Sequence, residues 1–66
     1  MDIAKEIKKI LIDEDLTLTA LAERLGVTQQ NMSAKLKKND FRISEMLNIA
    51  NALGYELNID FKKKGD

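Results

Sequence analysis

The hydrophobic and polar positions of the 66-residue chain change their period once, close to the C-terminus. Up to about residue 53, apolar residues recur every three or four positions, which is the spacing of the buried side of an amphipathic helix. From Tyr55 to Lys62, apolar and polar residues alternate, which is typical of a half-buried strand. The pattern predicts helices over residues 2–12, 17–25, 29–37 and 43–53 and a strand over residues 55–62. We therefore expect residues 1–66 to form one small, mainly α-helical domain.

Each predicted helix has a residue that suits one of its ends. Asp2, Thr17 and Thr28 carry side-chain oxygens that can accept hydrogen bonds from free N–H groups at a helix start. Gly26 and Gly54 can adopt the positive φ that often ends a helix. These local signals set the expected helix boundaries.

The apolar positions of the helices predict the hydrophobic core. The residues expected to be buried are Ile3, Ile7, Ile10, Leu11, Leu18, Leu21, Ala22, Leu25, Ile43, Met46, Leu47, Ala50 and Leu53. The first helix is also basic and amphipathic, as helices on membrane surfaces are, but a helix of this length favours packing in a core. Val27 is expected to fill the space beneath the turn that follows Gly26.

The predicted strand has no partner among the other segments, which all read as helices. An unpaired strand leaves a row of backbone groups without hydrogen bonds, so pairing with the same strand of a second subunit is the economical solution. Two-fold symmetry makes such an interface self-complementary. The expected interface residues are Tyr55, Leu57, Ile59 and Phe61. The alternative is that the segment packs as an extended tail on its own helices.

The segment 22–33 predicts two short helices that meet at a glycine, which is the pattern of a DNA-binding helix-turn-helix. Ala22 is small enough for two helices to approach closely, and Gly26 ends the first of them. Thr28 can then begin the second helix. In a helix-turn-helix, the second helix is the one that enters the major groove.

This stretch, together with residues 28–37 and the sequence Ile-Ala-Asn-Ala-Leu-Gly at 49–54, resembles the Cro/C1-type helix-turn-helix family (XRE family) of phage and bacterial regulators. The resemblance covers nearly the whole chain. It implies a four-helix, lambda-repressor-like fold with the helix-turn-helix in its second and third helices. It also implies a transcription regulator, by analogy a repressor, that binds an inverted-repeat operator in double-stranded DNA as a homodimer. In the phage repressors, the glutamines matching Gln29 and Gln30 read bases, and the threonine matching Thr28 contacts the DNA backbone.

The polar residues of the third helix have the chemistry of base recognition. A glutamine amide donates and accepts, so it can bond adenine N6 and N7 together, and an alanine can contact a thymine methyl. Recognition helices contact base edges mainly from their N-terminal end. The expected base-contacting residues are Gln29, Gln30, Asn31, Ser33 and Ala34.

The rotation of this helix is open from the sequence, because Lys35 stands where the family usually has an apolar residue, and Leu36 follows it. If the stem of Lys35 covers the edge of the core, the DNA-facing residues are Gln29, Gln30, Ser33, Ala34 and Lys37. If Leu36 alone is the inward residue, the DNA-facing side shifts toward Gln30, Asn31 and Ala34. Gln30, Ala34 and Lys37 are expected to face DNA in both cases, and Gln30 is the safest candidate for a base contact.

Contacts to DNA phosphates are expected from hydroxyl groups at helix starts and from the basic residues around the end of the third helix. These residues are Thr17, Thr19, Thr28, Lys35, Lys37, Lys38 and Arg42. The chain has 11 basic and 11 acidic residues, so its formal net charge is zero, which is unusual for a DNA-binding domain. The acidic residues 13–15 precede the motif and the basic residues follow it, so we expect a molecule with two electrically different sides.

Composition narrows the other possible functions. The chain has no cysteine and no histidine, so it lacks disulfides, thiol nucleophiles, histidine bases and the usual zinc ligands. We therefore expect no enzyme activity, no metal, no cofactor and no small-molecule ligand. No apolar run is long enough to span a membrane and no signal peptide is evident, so a cytoplasmic location is expected. A protein-interaction module of the same fold, antitoxin-like or an adaptor, is the alternative function, and the zero net charge is its best support.

Overall fold

The computed structural model describes residues 2–65 and contains four α-helices. They are α1 (Ile3–Asp13), α2 (Leu18–Leu25), α3 (Gln29–Lys38) and α4 (Ile43–Leu53). The expectation of a mainly helical, four-helix fold is confirmed. The end residues of the predicted domain, Met1 and Asp66, lie outside the described residues. Within residues 2–65, no helix combines the length and the apolar character that crossing a membrane requires.

The helix ends are the ones that the local sequence signals predict. The side chains of Asp2, Thr17 and Thr28 each accept a hydrogen bond from the backbone N–H three residues later, at 3.0, 3.0 and 3.1 Å. Gly26 (φ 72°) and Gly54 (φ 76°) follow α2 and α4 in the left-handed conformation. The capping residues Thr17 and Thr28 therefore fix where both helices of the turn motif begin.

The core forms between the four helices. Leu21 lies at its centre with no exposed surface. Helix α2 packs against α3 and α4, and α1 packs against α3. The buried residues are Ala4, Ile7, Leu11, Leu21, Ala22, Met32, Leu36, Ile49 and Leu53. Helices α1 and α2 therefore hold α3 in place, and α4 supports α2.

The expected burial of three apolar residues is wrong. Ile43 and Leu47 of α4 are 57% and 46% exposed, and Val27 in the turn is 40% exposed. Helix α4 is apolar on most sides, so its sequence pattern does not decide which side faces inward. The structure turns Ile49 and Leu53 inward, and Ile43 and Leu47 then lie about 120° and 160° around the helix from Ile49.

The strand predicted over residues 55–62 is not found in the structure, where residues 55–65 have no regular secondary structure. A strand needs hydrogen bonds from a neighbouring strand, and the rest of the described chain is helices and turns. The start of this tail packs on the bundle: the Tyr55 hydroxyl donates to Glu14 Oε2 at 3.1 Å, and Leu57 is half-buried. Beyond it, Ile59 is 47% and Phe61 96% exposed. The alternative expectation, an extended tail packed on its own helices, therefore holds only for the start of the tail.

Candidate nucleic-acid interface

The turn between α2 and α3 is closed by backbone hydrogen bonds. After α2 ends, the Gly26 N–H donates to the carbonyl oxygen of Glu23 (3.1 Å), and the Val27 N–H donates to that of Ala22 (3.0 Å). Ala22 is 2% exposed, as expected for a small residue where two helices approach closely. Because Thr28 then caps α3 directly, no flexible linker separates the two helices. The arrangement is a helix-turn-helix with α3 as its second helix.

The rotation of α3 is set by Met32 and Leu36, which are 3% and 7% exposed. Of the two candidates that the sequence offers, Lys35 and Leu36, it is therefore Leu36 that faces the core. At about 100° per residue, the side of α3 opposite these two anchors carries Gln30, Ala34 and Lys37. All three are exposed. The outward side of α3 is therefore polar and basic.

The other residues expected to contact bases lie on the two flanks of this outward side. Gln29 Nε2 donates to the Ser33 hydroxyl at 3.3 Å, which places both residues on one flank. Asn31 lies on the opposite flank, where it lines a shallow groove with Lys35 and residues of α4. Gln29 and Asn31 are exposed, whereas Ser33 is half-buried. All five expected base-contacting residues are thus on α3, with Gln30 and Ala34 pointing most directly outward.

Lys35 is tied to the start of α4. Its Nζ lies 2.6 Å from Glu45 Oε2, and the other oxygen of that carboxylate accepts the backbone N–H of Arg42 at 2.9 Å. The hydrogen bond from Lys35, followed by the one from Arg42, holds the pKa of Glu45 below its ordinary value. Glu45 therefore stays ionised at neutral pH and links α3 to the N-terminus of α4.

The residues expected to contact phosphates are spread over four helix ends. Thr17 and Thr28 are caps, so their hydroxyl oxygens already accept backbone N–H groups, although each O–H remains able to donate. All members of this set except the half-buried Lys35 are exposed; besides the two caps, these are Thr19 at the start of α2, Lys37 and Lys38 at the end of α3, and Arg42 before α4. Lys35 differs from the others because Glu45 holds its ammonium group.

The tail residue Tyr55 is held by the acidic turn after α1. Its hydroxyl donates to Glu14, and Asp13 adds a further negative charge nearby. Burial of the ring, and then the hydrogen bond to the Glu14 carboxylate, raises the pKa of Tyr55 above its ordinary value of 10.0. The contact anchors the start of the tail on the side of the molecule that carries the acidic residues 13–15.

Two residues that support the motif were not singled out as functional from the sequence. Glu45 holds Lys35, and Arg24 Nη1 donates to the carbonyl oxygen of Ala52 at 3.0 Å, which fastens the end of α4 to α2. Arg24 also places a positive charge at the negative end of the α4 dipole. Neither pair lies within one helix, so helical spacing gives no signal for it.

The family comparison agrees with this geometry. A family model described as a Cro/C1-type HTH DNA-binding domain matches residues 6–58, which include all of α2, α3 and α4. Comparisons of the chain with curated proteins and with solved structures gave no significant match. The matched region covers the turn, the polar outward side of α3 and most of the core. The chain belongs to the family of Cro/C1-type helix-turn-helix DNA-binding domains.

Proposed function

We propose that this protein is a sequence-specific transcription regulator that reads double-stranded DNA with the outward side of α3. The observation that carries the proposal is the rotation of α3: Met32 and Leu36 face the core, so Gln30 and Ala34 face away from it. A glutamine amide can bond adenine, and an alanine methyl can contact thymine. DNA is the partner that the family implies, and a cytoplasmic location is part of the same proposal.

In this proposal, phosphates are bound on both sides of the base-reading residues. Hydroxyl groups at the starts of α2 and α3 and basic side chains at the end of α3 supply the contacts. The contributing residues are Thr17, Thr19, Thr28, Lys35, Lys37, Lys38 and Arg42. Gln29, Asn31 and Ser33 complete the base-contacting set from the flanks of α3. The phosphate contacts set affinity and orientation, and the base contacts set sequence preference.

We further propose a homodimer that acts as a repressor on an inverted repeat. The support for a dimer is the tail, where Ile59 and Phe61 alternate with polar residues and are 47% and 96% exposed. Large apolar side chains exposed along a segment with strand-like alternation are suited to pairing with the same segment of a second chain. Tyr55 and Leu57 would join that interface at its inner end. The repressor role rests on resemblance to the phage regulators.

Sedimentation equilibrium measures the dimer directly. The wild-type chain is compared with F61K, which places a charge in the proposed interface, and with K63Q, which changes a neighbouring tail residue outside it. We expect F61K to shift the equilibrium toward monomer and K63Q to leave it unchanged. A wild-type chain that stays monomeric at concentrations where it binds DNA would remove the dimer from the proposal.

The second candidate is a protein-interaction module, which one observation favours. Ile43 and Leu47, four residues apart on one side of α4, are 57% and 46% exposed. Exposed apolar residues on one helix side suit a protein partner better than a phosphate backbone. The net charge of zero is consistent with this alternative.

Fluorescence anisotropy distinguishes the two functions. The full chain is titrated into duplex DNA from the region upstream of its own gene and into a scrambled duplex of equal length, at several salt concentrations. A regulator should prefer the upstream duplex, and a dimer contacting about six phosphates should give a slope of log K against log salt near −5. Absence of binding to both duplexes at low salt would favour the protein-interaction function.

A further inference from the structure

An open groove lies between the first turns of α1 and the last turn of α3, and of its lining residues only Lys37 has so far been assigned to DNA contact. Its volume is about 430 Å³. Lys5 and Lys8 of α1 line one wall, and Lys37 of α3 lines the other. Three lysines from two helices therefore face one shared space.

The groove has a fixed shape because the two helix ends are bonded to each other. The Ala4 N–H at the start of α1 donates to Asn39 Oδ1, directly after α3, at 2.8 Å. The Lys5 N–H donates to Asp2 Oδ1 at 3.0 Å, and Leu36 is buried beneath the groove. These bonds use N–H groups of the first turn of α1, so an anion in the groove would be bound by lysine ammonium groups.

The charge of the groove is unbalanced. Within residues 2–65, the ion pair of Lys35 with Glu45 is the only one with a separation of 4.0 Å or less, so the three groove lysines have no such partner there. Asp2 is the only carboxylate among the lining residues. The formal charge of the lining side chains is thus +2. Like charges gathered in one concave space favour binding of an anion.

The position of the groove connects it with the DNA-binding side. Lys37 lines the groove and also lies on the outward side of α3 with Gln30 and Ala34. A DNA strand that follows the outward side of α3 to its C-terminal end reaches the groove wall at Lys37. Lys5 and Lys8 lie across the groove from Lys37, on α1.

We propose that Lys5, Lys8 and Lys37 together bind a backbone phosphate of duplex DNA, so that the DNA interface extends from α3 onto α1. This inference rests on the proposed function and adds α1 to the surface that performs it. Lys5 and Lys8 set affinity and the position of the protein on the duplex, and they do not read sequence.

The test compares two double variants that lose the same charge. K5Q/K8Q removes the two positive charges on the α1 side of the groove, and K9Q/K63Q removes two positive charges from exposed lysines that do not line it. Each full-length chain is titrated with a duplex of arbitrary sequence at several salt concentrations, and circular dichroism checks that it is folded. We expect K5Q/K8Q to bind about tenfold more weakly at ~50 mM salt and to reduce the salt slope by about 1 per bound subunit.

Three results are informative in different ways. K5R/K8R should retain the wild-type slope, which separates loss of charge from loss of folding if K5Q/K8Q is unstable. If the wild-type chain binds DNA and the two double variants have equal slopes of log K against log salt, the groove does not bind a phosphate. The proposed function would still stand. Failure of the wild-type chain to bind any duplex would overturn both.

Discussion

Lys35 of α3 and Glu45 of α4 form an ion pair in which Nζ and Oε2 are 2.6 Å apart. The pair explains how a lysine is accommodated beside the buried Leu36. Leu36 supplies the apolar anchor, and Lys35 is half-buried at the edge of α4. The carboxylate of Glu45 also reduces the net positive charge at the surface of α3. Glu45 therefore acts on both the position of α3 and its electrostatic field.

The first prediction concerns the charge of this pair. E45Q keeps an oxygen that can accept the Arg42 N–H but removes the negative charge, so Lys35 becomes free to contact phosphate. We expect tighter binding to duplexes of any sequence and a salt slope that is steeper by about 1 per subunit. Fluorescence anisotropy against salt measures both. E6Q removes a carboxylate from α1 as a control; the same gain for both variants would mean that only net charge matters.

The second prediction is a dependence of stability on pH. Because the native pKa of Glu45 is lowered from its ordinary value of 4.5, the ionised carboxylate stabilises the folded state. This contribution is fully present above the ordinary pKa and is lost as pH falls through the lowered native pKa. Urea denaturation of the wild-type chain and E45Q from about pH 2 to pH 7 should show midpoints that differ at neutral pH and converge in acid. A difference that stays constant over this range would contradict the assignment.

The third prediction uses Tyr55, the only tyrosine in a chain that has no tryptophan. Its neutral hydroxyl donates to Glu14, so phenolate formation, followed by ultraviolet absorbance, should occur above the ordinary pKa of 10.0. The tail contact stabilises the protein below that value and is lost as pH rises through the raised native pKa. E14Q should lower the pKa only in part, because burial is the larger cause. D60N serves as the control, and an identical titration of E14Q and wild type would show that the contact is not formed.

The fourth prediction separates base recognition from phosphate binding. Q30A removes an amide from the outward side of α3 and should narrow the difference between preferred and scrambled duplexes, since a good bidentate contact discriminates by about 1–3 kcal/mol. K38A should weaken binding to both duplexes equally and make the salt dependence shallower by about 1. Anisotropy with the two duplexes tests both variants. Equal loss of sequence preference from Q30A and K38A would contradict this division of roles.

Local signals in the sequence were sufficient for the helix ends. Thr17, Thr28 and Gly26 are determined by interactions within three or four residues, and each takes the expected role. The rotation of α3 could not be predicted from the sequence alone. Lys35 and Leu36 are adjacent, and either could lie on the buried side of a helix that Met32 already anchors. The contact of Lys35 with Glu45 joins two helices across a loop, which periodicity within one helix does not describe.

The apolar pattern predicted the structure least well in α4 and in the tail. In α4, apolar residues occur on most sides, so Ile43 and Leu47 were expected inside and are exposed. In the tail, alternation indicates that a segment is able to pair as a strand, but pairing also needs a neighbouring strand. Residues 55–65 have no such neighbour within the described chain, and only the contacts at Tyr55 and Leu57 hold the tail.

Asn39 has two structural roles, because it follows α3 in the left-handed conformation (φ 53°) and its side chain accepts the Ala4 N–H at the start of α1. The two bonded segments are 35 residues apart in sequence. The bond links the end of α3 to the first turn of α1, so we expect hydrogen exchange at the Ala4 amide to respond to opening of either segment. A change in the dynamics of α3 when it meets a binding partner would thus be detectable at the start of α1, where the Ala4 amide is bonded to Asn39.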